Sequence, residues 1–244
     1  MKMDTVVDIR ANYQRVLERV EQAARSAGRR DDDVRVVVVT KLQPVASIRA
    51  AVESGARLFG ENYAEEALPK IQALEDVTGI EWHMIGHVQS RKARLVADHF
   101  DFMHSLDSFK LAERLDRMLC ESGRRLPVLL EFNLAGEASK SGWDAVHLES
   151  WLELVGEIQA IAALPSLEVR GLMTMPPLSN NPEEVRPYFR RLAHLRDFLA
   201  REVPQAHWEE LSMGTSSDFE VAVQEGATLV RIGEAILGPR IKHG

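Results

Sequence analysis

Val34-Arg35-Val36-Val37-Val38-Val39-Thr40-Lys41 is the stretch on which the fold turns. It is β-branched almost throughout and does not alternate apolar with polar, the pattern of a strand buried on both faces. Such burial is typical of parallel sheets covered by helices, so Val34–Thr40 is expected to be the first strand of an α/β fold. Upstream, Ile9, Tyr13, Val16, Val20 and Ala24 recur at spacings of three and four before Gly28, which predicts a leading helix over residues 5–27. Downstream come seven more short apolar segments: Arg57–Gly60, Glu81–Gly86, Phe100–Leu106, Pro127–Asn133, Glu168–Met175, His207–Met213 and Thr228–Ile232. Helical stripes separate them, for example Leu148, Trp151, Val155, Ile158 and Ala162, or Tyr188, Leu192, Leu195 and Leu199. Eight βα units favour closure into a (β/α)8 TIM-type barrel with an extra N-terminal helix, and an open flavodoxin-like or Rossmann sheet is the alternative.

The chain has 244 residues, 45% hydrophobic and 27% charged, enough for one core, and no linker-like composition breaks it. A single domain over residues 1–244 is expected, as a monomer. The net charge of −7, with cations scattered among acids, argues against a nucleic-acid partner. The start, Met1-Lys2-Met3-Asp4, carries no apolar leader and no long apolar span follows, so no membrane association is expected and the location is expected to be cytoplasmic. The lone cysteine, Cys120, falls in the helical stretch Leu111–Cys120 and is expected to be core-adjacent and inert.

In a barrel the chemistry gathers where strands end. Lys41 ends the first strand behind an apolar wall that disfavours its charged form, and a neutral amine is what Schiff-base formation needs. Taken alone, a strand-end lysine is ordinarily a side chain snorkelling into solvent. The loops after strands seven and eight alter that reading. Ser212-Met213-Gly214-Thr215-Ser216-Ser217-Asp218 leads into a helix at Phe219–Gln224, and Gly233-Glu234-Ala235 opens another. Small residues, hydroxyls and helix N-termini at those two strand ends suit a phosphate, although either loop alone would be read as a simple helix cap at Ser217 or Asp218. Arg231 alternates with Val230 and Ile232 and is expected to point into the barrel, where it needs an acid, Glu61 or Glu131, or a ligand.

The ordered segments Thr40-Lys41, Phe59-Gly60-Glu61-Asn62-Tyr63, Glu81–Ser90, His104–Ser108, Gly136–Gly142, Arg170–Thr174, Leu211–Gly214 and Arg231–Gly233 resemble the YggS/PROSC family of pyridoxal 5′-phosphate (PLP) homeostasis proteins. The resemblance implies a fold like the alanine racemase N-terminal barrel and PLP as cofactor. It implies that Lys41 holds the PLP aldehyde and Arg231 lies by the pyridine nitrogen. It further implies that Ser212, Gly214, Ser216 and Gly233 hold the phosphate, with Asn62 and His83 lining the ring. Two departures stand out: Leu42-Gln43-Pro44 follows the lysine where Thr-Lys-Pro is expected, and Glu234 stands where threonine is common. A Glu234 side chain turned inward would weaken phosphate binding.

Other signals are set aside. His83 and His87 have the spacing of a helical zinc pair, yet His83 lies in a strand and Gly86 intervenes, so no metal is expected. Asp31-Asp32-Asp33 is expected to be a solvated acidic turn. Lys140, on the chemical face, is a candidate second aldehyde acceptor. The favoured function is a PLP carrier that supplies apo PLP-dependent enzymes. The alternatives are a racemase-like PLP enzyme and a Schiff-base aldolase acting on a phosphorylated substrate. Racemases of this resemblance use a second, β-rich domain and a tyrosine base; the sequence ends just past strand eight and offers only Tyr63 at a strand end, so carriage is expected over catalysis.

Overall fold

In a computed structural model, residues 7–137 and 140–239 are described. Ala138 and Ser139, inside the Gly136–Gly142 segment that carries part of the resemblance, lie outside them, as does the N-terminal Met1–Asp4. The strands are β1 (Arg35–Val39), β2 (Leu58–Glu61), β3 (Glu81–Met84), β4 (Phe102–Leu106), β5 (Leu126–Asn133), β6 (Trp143–Asp144), β7 (Leu167–Met173), β8 (Glu210–Ser212) and β9 (Leu229–Ile232). All pairings are parallel. The order β4-β3-β2-β1-β9-β8-β7-β5, with β4 also paired to β5, closes eight strands into a (β/α)8 barrel rather than an open sheet. Each of the eight expected strands is present, several of them shorter at their ends. The two-residue β6 was not foreseen; it pairs beside the end of β5, with Phe132 opposite Trp143.

The helices are α1 (Ile9–Ser26), α2 (Val45–Glu53), α3 (Ala64–Ala73), α4 (Ala93–His99), α5 (Phe109–Ser122), α6 (Trp151–Ala162), α7 (Arg186–Glu202), α8 (Phe219–Gln224) and α9 (Glu234–Leu237). Strand alternation divides the core in two. Val36, Val38, Met103, Val128, Leu130, Val230 and Ile232 face the helices within the larger apolar cluster. Val37, Phe102, Leu129, Met173 and Leu229 form a second cluster inside the barrel. This is the in-out alternation that a closed parallel barrel imposes on every strand.

Between β5 and β7 the register slips by one, Val128 pairing Val169 but Leu129 pairing Gly171. Gly171 has φ +149°, and a Cβ there would lie 1.9 Å from the Glu210 carbonyl, so only glycine lets β7 and β8 approach.

Two readings need correction. Cys120 is exposed on α5, because the buried stripe of that helix is Leu111, Ala112, Leu115 and Leu119, which turns position 120 outward. Leu148 does not join the α6 stripe: it sits in a short 3-10 turn before the helix and is exposed. Asp31–Asp33 forms a single 3-10 turn whose acids pair with Arg25 and Arg30.

Candidate functional site

At the C-terminal end of the barrel lies a cavity of about 590 Å³ whose lining includes Lys41, Asn62, Glu131, Ser216, Arg231 and Gly233. That volume is in the range of small-molecule sites. Each lining side chain arrives on a strand end or the loop after it.

Lys41 follows β1 in a turn that the Gln43 N–H closes onto the Thr40 carbonyl at 3.0 Å. Beneath that turn is a buried brace. Thr40 Oγ1 donates to Glu61 Oε1 at 2.6 Å, and Lys70 Nζ on α3 donates to Glu61 Oε1 at 2.6 Å and to the Thr40 carbonyl at 2.8 Å. Burial raises the Glu61 carboxyl above the ordinary range, against the pull of Lys70 and Thr40. The end of β1 is thereby tied to β2 and α3, which sets the point from which Lys41 leaves the barrel wall. Asn62 enters at the end of β2, and Gly86 makes room for it: a Cβ at position 86 would lie 2.4 Å from the Asn62 carbonyl.

The loop after β8 carries the hydroxyls. Thr215 N–H is taken by Asp218 Oδ1 at 2.6 Å, and Asp218 is the N-cap residue of α8. Asp218 therefore closes the loop back on itself, with no side-chain cap bond into the helix. Thr215, Ser216 and Ser217 line the cavity, and Ser216 Oγ accepts from Ala235 N–H in the first turn of α9 at 3.5 Å. Gly233 completes this side; a Cβ there would stand 3.1 Å from the Val39 carbonyl. Glu234 is exposed and lines the cavity beside it.

Arg231 points inward as its alternation predicts and is only 4% exposed. Its guanidinium donates to Ser212 Oγ, to the Thr174 carbonyl at 2.9 Å and toward Met175 Sδ at 2.9 Å. None of these is a carboxylate. Neither expected acid pairs with it: Glu61 is engaged by Lys70, and Glu131 acts only as a more distant charge. Burial pushes the guanidinium down to about 10, with Glu131 and Asp218 opposing. A desolvated cation with part of its donor fork at the cavity surface is a site for an acceptor.

The structure thus gathers Lys41, Asn62, Ser216, Arg231 and Gly233 around one cavity. His83, Ser212 and Gly214 are not among its lining residues. His83 is fully buried inside the barrel against His104, at 2.8 Å between ring nitrogens. Ser212 Oγ is committed to Arg231 and His104. Gly214, with φ +93°, allows the loop to press on α8, since a Cβ would lie 2.6 Å from that of Ala222. His83 and His87 part company: His87 is exposed and contacts Asp107 at 2.7 Å.

The lining also holds two residues to which sequence reading gave no role, His87 and Ser141, beside two it had named, Glu131 and Lys140. Lys140 Nζ pairs with Glu137 at 2.6 Å and donates to the Met175 carbonyl at 3.0 Å. Asp107 and Ser141 both contact the same nitrogen of His87, Nδ1, at 2.7 and 3.2 Å, so the three do not form a nucleophile-base-orienter relay, which needs both ring nitrogens. Glu131, named from the sequence only as a possible partner of Arg231, shares the inward parity of Leu129 two positions before it.

The profile of the family described as alanine racemase, N-terminal domain, matches residues 9–240. A pyridoxal phosphate homeostasis protein of Aquifex aeolicus is 41% identical over 226 residues, covering 93% of this chain and 96% of that protein. The structure of PipY of Synechococcus elongatus PCC7942 with PLP bound superposes with a TM-score of 0.78 at 37% identity, covering 90% of this chain and 100% of that one. The alanine racemase of Streptomyces coelicolor A3(2), at 18% identity and a TM-score of 0.70, shares the fold; the match covers 94% of this chain and 57% of the racemase. With its barrel closed as in these structures and its identity to the curated relatives spread over nearly the whole length, the chain belongs to the pyridoxal phosphate homeostasis protein family, within the alanine racemase N-terminal domain fold.

Proposed function

We propose that this chain binds PLP, with Lys41 carrying the aldehyde carbon as a Schiff base, and acts in intracellular PLP homeostasis as a carrier or buffer that supplies apo-enzymes. One observation carries the reading: a strand-end amine, a hydroxyl-rich loop ahead of a helix, and a buried arginine with no carboxylate partner among the described residues all open on one cavity. The residues fit the cofactor's parts. The hydroxyls of Thr215, Ser216 and Ser217, with the close backbone approach at Gly233, suit the phosphate. Ser212 and Gly214 support that loop from the core. Arg231 suits the ring nitrogen, to which it can only donate. Asn62 and the apolar Val39 and Ile85 supply the remaining wall.

When bound, the cofactor supplies a reactive aldehyde and an electron-withdrawing ring. An arginine at the ring nitrogen donates a hydrogen bond to its lone pair but is too weak an acid to protonate it, which leaves the ring a weak electron sink. No tyrosine is among the described lining residues; Tyr63 is half-exposed at the N-cap of α3, and Tyr13 and Tyr188 lie on α1 and α7. A second base of the kind a racemase needs is therefore not supplied by tyrosine, which favours carriage over turnover. The recipient apo-enzymes, a cytoplasmic location and a monomeric state belong to this same proposal. Among the described residues no helix is long and apolar enough to cross a membrane.

The test is borohydride reduction of the chain mixed with PLP, followed by mass spectrometry. The adduct is expected on Lys41, and Lys41→Met is expected to abolish both that adduct and the visible absorbance band. An adduct confined to Lys140 would overturn the assignment of Lys41. Incubation with D- and L-amino acids, and separately with an apo PLP enzyme, divides the roles: activation of the apo-enzyme is expected, and sustained amino-acid turnover would overturn the carrier reading.

A further inference from the structure

A string of polar side chains crosses the barrel interior from the start of β3 to the cavity. Glu81 Oε2 lies 3.6 Å from His83 Nε2, His83 Nδ1 lies 2.8 Å from His104 Nε2, and His104 Nδ1 lies 2.8 Å from Ser212 Oγ. Ser212 Oγ in turn accepts from Arg231. His83, His104 and Ser212 are wholly shut off from solvent. The four inner members sit on β3, β4, β8 and β9, so the string spans the barrel rather than following a pair of neighbouring strands.

The two ends of the string decide its direction. Arg231 has only donors, so Ser212 Oγ must accept from it. The Ser212 hydroxyl then has one hydrogen to place in a buried setting, and His104 Nδ1 is the remaining contact of its oxygen. A buried hydroxyl hydrogen without an acceptor is costly, so Nδ1 of His104 offers its lone pair and the ring proton sits on Nε2. That proton meets His83 Nδ1, which must be bare, and the His83 proton is then on Nε2, facing the Glu81 carboxylate. At 3.6 Å this last contact is too long for a hydrogen bond and marks the loose, outer end. Reversing the string would set a lone pair of His83 against a carboxylate and leave the Ser212 hydrogen without a partner.

The surroundings agree. Burial lowers both imidazoles below their ordinary value; for His104 the lowering is strong and His83, Arg231 and Arg35 add to it, while for His83 the carboxylates of Glu81 and Asp101 oppose it and Arg35 adds to it. Phe102 stacks flat on His83, with centroids 5.2 Å apart and planes at 4°, and meets His104 edge-on at 5.2 Å and 74°, which fixes the planes of both imidazoles.

We propose that His83, His104 and Ser212 form a one-way hydrogen-bond string, its outer end facing the Glu81 carboxylate and each imidazole carrying its proton on Nε2, that presents a lone pair to Arg231 and so sets its guanidinium at the cavity. His104 is a positioning residue for Arg231, acting through Ser212. The direction of the string stands on the protein alone; only its consequence for the cofactor rests on the proposed function.

The test uses the cofactor-free protein labelled with 15N-histidine, its signals assigned through single His→Gln variants. At pH 7 both His83 and His104 are expected as neutral rings protonated on Nε2. A proton on Nδ1 of either ring, or a doubly protonated ring, would overturn the proposal. Ser212→Ala is expected to mix the His104 tautomers, shift the visible band of the PLP-loaded chain and weaken PLP about tenfold, the loss of one charged hydrogen bond, and Ser212→Thr to restore all three. An unchanged band and affinity in Ser212→Ala would overturn the positioning role. Failure of the unaltered chain to take up PLP would instead sink the proposed function, while the tautomers would still decide the direction.

Discussion

Glu131 reaches the cavity from β5, and burial, with Asp107 nearby, pushes its carboxyl up to about 7, against the pull of Arg231 and His87. Its folded value therefore lies above the unfolded one, about 4.3. The folded chain holds this proton more tightly, so the contribution to stability is full below about pH 4.3 and is lost as pH rises through about 7. Glu131→Gln keeps the shape without the titration. Its melting temperature relative to the unaltered chain is expected to rise across that window, and a difference that stays flat would contradict the shift. Glu234 offers a second reading at this scale. Its carboxylate lines the cavity beside Ser216 and Gly233, and an exposed charge there is worth about 0.2–1 kcal/mol against a phosphate, so Glu234→Gln is expected to tighten PLP up to about fivefold in a low-salt titration. Lys41, Asn62, Ser216, Arg231 and Gly233, candidates in the sequence at strand ends or the loops after them, line one cavity. His83, Ser212 and Gly214, named as candidates alongside them, are not among its lining residues, because strand parity reveals which way a residue faces and not how deep it sits along the barrel axis.

At the scale of elements, the turn that presents Lys41 carries a cost. Leu42 has φ 57°, the one non-glycine residue with positive φ among those described, and it is half-exposed. A branched side chain in that region costs about 1–2 kcal/mol, of which glycine's extra flexibility in the unfolded chain returns up to about 1. Leu42→Gly is therefore expected to stabilise the chain by about 0.5–1 kcal/mol in a urea melt, and a loss of stability would show that Leu42 contributes packing instead. Nothing in the local sequence announced this turn, because Lys41-Leu42-Gln43-Pro44 lacks the glycine or asparagine such a geometry favours. The eight strands and their helices were legible because burial on both faces and helical spacing each leave a pattern. The two-residue β6 left none: Trp143-Asp144 is strand only because the end of β5 lies beside it.

For the whole molecule, closure depends on a seam between β1 and β9, the first and last strands, which pair from Arg35 opposite Leu229 to Val38 opposite Ile232. Helix α1 covers this seam by packing on α2, α8 and α9, with Asn12 Nδ2 donating to the Ile236 carbonyl at 3.1 Å. Arg29, just after α1, donates to the carbonyls of Val223 and Ala227, both at 2.8 Å. Arg29→Ala leaves those carbonyls without this donor and is expected to cost about 2–3 kcal/mol, lowering the melting temperature by about 4–12 °C. Backbone hydrogen exchange is expected to quicken first in β1 and β9; uniform quickening around the barrel would show that the seam is no weaker than the rest.

The sequence by itself determined the strand and helix count, the expectation of closure and the strand-end residues that suit a Schiff base and a phosphate, because periodicity and residue chemistry are local properties of the chain. Only the tertiary structure decided that Arg231 has no carboxylate partner among the described residues, that Glu61 goes to Lys70 and that His83 meets His104 and, through it, Ser212. The contacts of His104 with Ser212 and of Arg231 with Thr174 join parts of the chain far apart in sequence, and closing the barrel is what brings them within hydrogen-bond reach; the Glu61–Lys70 pair depends instead on how α3 packs back on β2.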